Sequence, residues 1–147
     1  MNRPLKFRAW DKEEKVLYQV EEIFFRDDGT ICAVNRPDIT WKDQKFELVD
    51  LMQYTGLKDR NGKEIYEGDI LKHSDTFYPD VNQPEYFEVR YVMAPFGGYV
   101  ACKEDGPKRL VARLFDDDGY QTEVIGNRWE NPELVPKLTK GERDDIH

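Results

Sequence analysis

The chain has 147 residues, 39% of them hydrophobic, 35% charged and 13% aromatic, with a formal net charge of −8 and a pI near 4.9. That length suits one compact domain or two small subdomains, and the aromatic share is too high for a disordered chain. The negative balance opposes indiscriminate binding to phosphate backbones or anionic lipid, and no apolar run approaches the roughly 20 residues a membrane span needs.

The opening MNRPLKFRAW lacks an apolar h-region, so the expectation is a soluble, cytoplasmic protein. Cys32 and Cys102 each sit in a strand-like run beside Ala and Val. They are expected to be free, small buried hydrophobes in a reducing compartment. No C-x-x-C spacing occurs, and His73 and His147 stand apart. No metal and no cofactor is expected.

Residues 5–10 alternate, with Leu5, Phe7 and Ala9 on one face and Lys6, Arg8 and Trp10 on the other. Period two predicts a strand with one buried face. A polar turn over 11–15 leads to a second strand over 16–20, giving a first hairpin. Residues 23–25 and 30–34 flank Asp27-Asp28-Gly29 and predict a second hairpin. Asn35-Arg36-Pro37-Asp38 breaks the pattern, and a polar stretch with Trp41 follows.

Residues 46–54 read either as a helical turn followed by a strand or as one bent strand. The strand reading is favoured over 51–55, with Gly56 ending it. Asp59-Arg60-Asn61-Gly62 is a tight turn before a short run at 64–66. Gly68 punctuates, and 69–73 is a strand. Residues 74–84, with Pro79 and Pro84, read as an exposed loop. Strands over 86–93 and 99–103 around Pro95-Phe96-Gly97-Gly98 make a third hairpin. Residues 104–108 read as a loop, 110–115 and 121–125 as strands, and Asp116-Asp117-Asp118-Gly119 as a turn. Asn131 and Pro132 open a single helical turn, Asn131 as its cap. The fold class is therefore mainly β. Its expected divisions are N-terminal hairpins over 1–50, a connecting segment over 51–67, a small barrel-like part over 68–136 and a charged tail over 137–147.

Each chemistry-bearing pattern in the chain also has a plain structural reading. Gly56 to Lys63 resembles a phosphate loop, but the spacing is one residue wrong. Glu64 also stands where a hydroxyl should meet the metal, and no helix follows. Asp116-Asp117-Asp118 lacks the Glu that a calcium loop needs at position 127, where Asn127 stands. Glu67-Gly68-Asp69 has no nucleophile or metal ligand nearby. Its reading is a bend at Gly68 with Asp69 accepting backbone hydrogen bonds. His73 and Ser74 are strand neighbours pointing to opposite faces, so they form no dyad. Arg3, Lys6, Arg8 and Trp10 place basic and aromatic side chains together, a pattern that suits a nucleic-acid strand. The structural alternative is a mixed face with Trp10 packed. Ile65, Tyr66, Ile70 and Leu71 are core candidates.

FRAWD (7–11), QYTGLKDRNGKEIYEGDILK (53–72) and EVIGNRWENPEL (123–134) together resemble the YopX-like family of phage and prophage proteins. The blocks lie near the start, middle and end of the chain. Arg128-Trp129 departs from the more apolar pair expected in relatives. The resemblance implies a bacterial cytoplasm as the site of action, a later part resembling a small SH3-like barrel, and self-association. It implies no reaction. It marks Gln53, Tyr54, Thr55, Gly56, Asp59, Asn61, Gly62, Tyr66, Gly68, Asp69, Asn131 and Pro132 as a scaffold motif.

Two functions compete. The first is a non-enzymatic interaction protein that self-associates and binds a host or phage protein. The alternative is a nucleic-acid-binding module using the barrel or the basic N-terminal strand. The net charge favours the first.

Overall fold

A computed structural model describes residues 4–37, 42–75, 85–92, 98–103, 106–110 and 120–135. Among them the chain is mainly β, built from antiparallel strands, as its alternating pattern predicts. It divides into two compact units, Met1–Tyr54 and Thr55–His147. The boundary lies inside one strand.

The first unit holds β1 (Phe7–Asp11), β2 (Val16–Val20), β3 (Ile23–Phe25), β4 (Ile31–Arg36), β5 (Lys42–Lys45) and the first part of β6 (Val49–Lys58). β1 is central, pairing β2 with Ala9 opposite Tyr18 and β6 with Ala9 opposite Leu51. β3, β4 and β5 form a separate three-stranded sheet in that order. Ala9, Tyr18, Val34 and Val49 make the core, with Val20, Ile23, Ile31 and Leu51 packed against it. Directly opposed residues share a sheet face, so Ala9, Tyr18 and Leu51 meet on the inner side of β2-β1-β6.

Several expectations for this unit are corrected. β1 is buried on both faces, because Arg8 and Trp10 on one face are buried as well as Ala9 and Asp11 on the other, whereas Leu5 precedes the strand and is 68% exposed. A central strand loses solvent on both sides once each face is covered. The hairpin β3–β4 forms, but β4 does not stop at Asn35. It carries Asn35 and Arg36 inside, both buried. The polar run after Pro37 contains strand β5, whose Gln44 is buried opposite Val34. Trp41 lies outside the described residues. Residues 46–54 resolve as a short 3-10 turn, Phe46–Leu48, leading into β6. β6 does not end at Gly56 but runs on to Lys58.

In the second unit, β7 (Glu64–Tyr66) follows the turn after β6. β8 (Asp69–Asp75), β9 (Glu85–Val92), β10 (Gly98–Lys103), β11 (Gly106–Leu110) and β12 (Tyr120–Asn127) form a five-stranded antiparallel sheet, order β11-β10-β9-β8-β12. β11 begins at positions read as loop, Pro107 included, and lies at the edge of the sheet, where proline is tolerated. Residues 76–84, 93–97, 111–119 and 136–147 lie outside the described residues, and with them most of the expected loop over 74–84, the strand over 110–115, the acidic turn at 116–119 and the tail.

Leu57, Ile65, Leu71, Val89 and Val124 form this unit's core. Register explains the grouping: Leu71 faces Phe87 on one neighbour and Val124 on the other. Tyr66 and Ile70 are buried as well. No helix among the described residues is long and apolar enough to cross a membrane.

Tyr66→Ala removes a large ring from a covered position and should cost about 3 kcal/mol. Urea denaturation followed by tryptophan fluorescence reads this. An unchanged midpoint would mean that the ring contributes nothing to packing.

Candidate functional site

The Asp11 carboxylate, which ends β1, is 1% exposed. Its Oδ1 accepts the backbone N–H of Glu13 and of Glu14, both at 2.9 Å, closing the loop to β2. Its Oδ2 accepts Arg36 Nη1 at 2.9 Å and Gln44 Nε2 at 2.6 Å. Gln44 Oε1 in turn accepts the Tyr18 hydroxyl at 2.6 Å, and the Arg36 guanidinium lies 5.3 Å from the Tyr18 ring centroid. Nη1 of Arg36 also meets Glu14 Oε2 at 2.7 Å. The network thus joins β1 and β2 of one sheet to β4 and β5 of the other. Burial pushes the Asp11 carboxyl up. The N–H of Glu14, the Gln44 amide, the N–H of Glu13 and the Arg36 charge outweigh it, and the pKa lies below the ordinary carboxylate value. Such a carboxylate holds no proton at neutral pH and has its hydrogen-bonding sites occupied, so it suits a structural role.

Asn35, next to Arg36, does the same for the β2–β3 connection. Its Oδ1 accepts the N–H of Glu21 at 3.0 Å and of Glu22 at 2.8 Å, and its own N–H donates to Glu22 C=O at 3.0 Å. The start of β3 is thereby held in place.

In the second unit the carboxylates of the middle sequence block are also committed to backbone. Asp59 Oδ1 accepts the N–H of Asn61 at 2.8 Å and of Lys63 at 2.9 Å, and Oδ2 accepts Val124 N–H at 2.9 Å. Gly62 carries φ +82° and donates to Asp59 C=O, while Asn61 has no positive φ. The tight turn is therefore a three-residue loop with glycine at its left-handed last position, not a two-residue turn centred on Asn-Gly. Asp69 Oδ2 accepts Tyr66 N–H at 2.8 Å across the bend at Gly68. Gly68 has φ +84°, and a Cβ there would fall inside the Trp129 ring, so both geometry and space exclude a larger residue. Thr55 Oγ1 donates to Ile65 C=O at 2.8 Å.

The 123–134 block closes on itself. Asn127 Oδ1 accepts the N–H of Trp129 and Glu130, and Asn131 Oδ1 accepts Asn127 N–H at 3.1 Å. Pro132 begins the short 3-10 turn Pro132–Leu134, but Asn131 makes no side-chain cap. Its oxygen is spent on Asn127 instead. Beside this block, buried Glu88 meets Arg128 Nε at 2.9 Å and Arg90 Nε at 3.4 Å. His73 Nδ1 lies 3.1 Å from Thr122 Oγ1, and its ring stands edge-on to Phe87. Among the described residues no group of His, Cys, Asp and Glu is placed to hold a metal ion, and Cys32 is a free thiol.

The basic strand does not form an open binding strip. Arg8 is buried with Nε 3.4 Å from Met52 Sδ, and Trp10 is buried too. Arg3 lies outside the described residues. Of the three that are described, Lys6 is the exposed one, its ammonium 5.7 Å from the Tyr54 ring centroid, and its C=O accepts Tyr54 N–H. Gln53 is half-buried opposite Phe7.

What the first unit does present is apolar surface. Phe25 is 62% and Phe24 37% exposed, both on the outer strand β3. Leu5 and, in the second unit, Tyr91 are the other large hydrophobics left exposed among the described residues. Sequence reasoning placed Ile23-Phe24-Phe25 in a strand without marking it as surface. The available signal was the run of three apolar residues in one short strand, since alternation sends neighbours to opposite faces and one face cannot bury all three.

Replacing Asp11 by Ala or Asn should destabilise the fold by about 3 kcal/mol, since either leaves Arg36 without its buried anion and Asn turns an amide donor toward other donors. The folded carboxyl is the stronger acid, so the unfolded chain binds more protons as pH drops below about 4. The Asp11 contribution should be complete above that pH and lost as pH falls through the folded pKa. Denaturation at pH 7 and pH 3 checks both: the wild type should weaken more than Asp11→Asn on acidification, and equal losses would show that Asp11 does not govern the acid limb.

No curated protein matches the chain. Among solved structures, protein EF1440 from Enterococcus faecalis is 31% identical with a TM-score of 0.61, over 91% of this chain and 99% of that one. Protein yopX from Bacillus subtilis is 22% identical with a TM-score of 0.57, over 88% of this chain and 96% of that one, a likeness of fold. The family model described as YopX protein matches residues 6–136, and the chain therefore belongs to the YopX family.

Proposed function

We propose that this is a non-enzymatic interaction protein of phage or prophage origin, acting in the bacterial cytoplasm by binding protein, its own copy included. The observation that carries the reading is the pair of exposed phenylalanines on the outer strand β3. An unpaired strand edge bearing aromatic carbon is costly to leave in water, and aromatic residues are enriched where proteins meet. The polar interior supports the same reading. Asp11, Asn35, Asp59 and Asp69 are committed to holding strands and turns. That is the work of a scaffold that presents a surface.

Light scattering on the full chain over a range of concentrations tests this. The weight-average mass should rise above 17.4 kDa with concentration, and Phe25→Glu should return it to the monomer without lowering the melting temperature. A monomer at every concentration up to about 1 mM, where only contacts weaker than roughly 4 kcal/mol escape detection, would remove self-association. Fluorescence anisotropy with short single- and double-stranded oligonucleotides at low salt should show no titration. Salt-sensitive binding there would replace this reading with the nucleic-acid one.

A further inference from the structure

We infer that β3 pairs antiparallel with β3 of a second copy about a two-fold axis through Phe24, joining two three-stranded sheets into one of six strands. The inference rests on the interaction reading above and supplies its partner and register.

The edge is open in the right places. Glu22 C=O accepts Asn35 N–H and Arg26 N–H donates to Thr30 C=O, so Glu22 and Arg26 turn their backbone groups toward β4. The irregularity between Phe24 and Phe25 in this pairing skips Cys32, a residue of β4, and leaves β3 continuous. With a period of two, Phe24 also faces β4, and Ile23 and Phe25 turn their N–H and C=O groups outward. The opposite edge of the sheet is β5, whose sequence KDQK is charged in the way that blunts strand addition; β3 carries no charge between its ends.

The segment Glu22-Ile23-Phe24-Phe25-Arg26 is complementary to itself. With the axis at Phe24, Ile23 lies opposite Phe25 of the second copy and Glu22 opposite its Arg26. Each Ile23–Phe25 pair exchanges both N–H···O bonds, because both residues offer outward groups. The exposed Phe25 ring then covers Ile23, which already packs on the core. Glu22 and Arg26 are exposed; Arg26 Nη1 donates to Thr30 Oγ1 and Ile31 C=O within the hairpin, and among the described residues its one carboxylate neighbour is Glu47, 3.7 Å from Nη2. Neighbouring registers fail. An axis at Ile23 sets Glu22 against Phe24 and Glu21 against Phe25. One at Phe25 sets Arg26 against Phe24 and Asp27 against Ile23. Beyond Arg26 the chain has left the strand, since Gly29 N–H closes a turn on Arg26 C=O. The contact is short, so the dimer is weak and concentration-dependent.

The two phenylalanines make opposite predictions when replaced by cysteine in a Cys32→Ser, Cys102→Ser background. Phe24 faces its own copy as a non-hydrogen-bonded pair, with Cα atoms about 4.5 Å apart, within disulfide reach. Phe25 faces Ile23 and lies too far from its own copy. Mild oxidation with oxidised glutathione should therefore link Phe24→Cys into a covalent dimer and leave Phe25→Cys monomeric, although Phe25 is the more exposed. Cross-linking of Phe25→Cys as fast as or faster than Phe24→Cys would overturn the register. Glu22→Arg or Arg26→Glu alone should weaken dimerisation about tenfold, and the double exchange should restore it. These side chains are on the surface, so the charge variants test the pairing even where a cysteine variant folds poorly. A dimer by light scattering that shows neither the cysteine preference nor the charge rescue would sink this pairing and leave self-association standing. A monomer throughout would sink both.

Discussion

Everything in the first unit depends on satisfying one buried anion. Asp11 ends β1 inside the protein, where an isolated carboxylate would cost several kcal/mol. Four donors converge on it: two N–H groups from its own hairpin loop, the Arg36 guanidinium from β4 and the Gln44 amide from β5. Loop closure and sheet-to-sheet attachment therefore share one acceptor. Loss of the anion releases both at once, because the loop N–H groups and the Arg36 charge lose the same partner. Arg36 in turn continues the strand whose Asn35 fixes the entry to β3. The exposed phenylalanines are thus held at the end of a chain of polar contacts that begins at Asp11.

The same network explains where the sequence was readable. Hairpins with alternating apolar residues, such as β1–β2 around residues 12–15 and β3–β4 around Asp27-Asp28-Gly29, are local, and their period and turn chemistry are enough to find them. β5 and the end of β4 were not legible. Asn35, Arg36 and Gln44 are polar, and polarity in a short window reads as solvent exposure. Arg36 and Gln44 are buried with a partner far off in sequence, Asp11, 25 residues from one and 33 from the other, and Asn35 is satisfied by the N–H groups of Glu21 and Glu22. On β1, alternation identifies two faces but cannot say that both are covered; Trp10 is packed, as the structural alternative has it, and Arg8 is buried with it. Asn61-Gly62 announced a turn correctly, yet its form was set by the Asp59 carboxylate, which gathers N–H groups from the loop and from β12 together.

The candidate surface was half legible. An apolar triplet in a short strand signals that something must stay outside, but which phenylalanine, and on which edge, is decided by the order β3-β4-β5. The long middle block has the outline of a phosphate loop but the wrong spacing. Its glycines and carboxylates instead serve the bends at Gly62 and Gly68, the latter closed by the Trp129 ring. What is most distinctive in the sequence is spent on the scaffold, and the proposed contact surface is a plain stretch of Ile and Phe between charges of opposite sign.

That arrangement also bears on how such an edge avoids runaway assembly. A two-fold contact consumes the same edge on both copies, so it closes after one addition, whereas pairing β3 with the far edge β5 would repeat without end. The charges sort between these outcomes. Glu22 and Arg26 would reward the proposed antiparallel β3–β3 register, and the exposed Asp43 and Lys45 of β5 would oppose strand addition on the other side. The shortness of β3 adds to the restraint, since a three-residue edge offers too few hydrogen bonds to hold in a wrong register once its charges are mismatched.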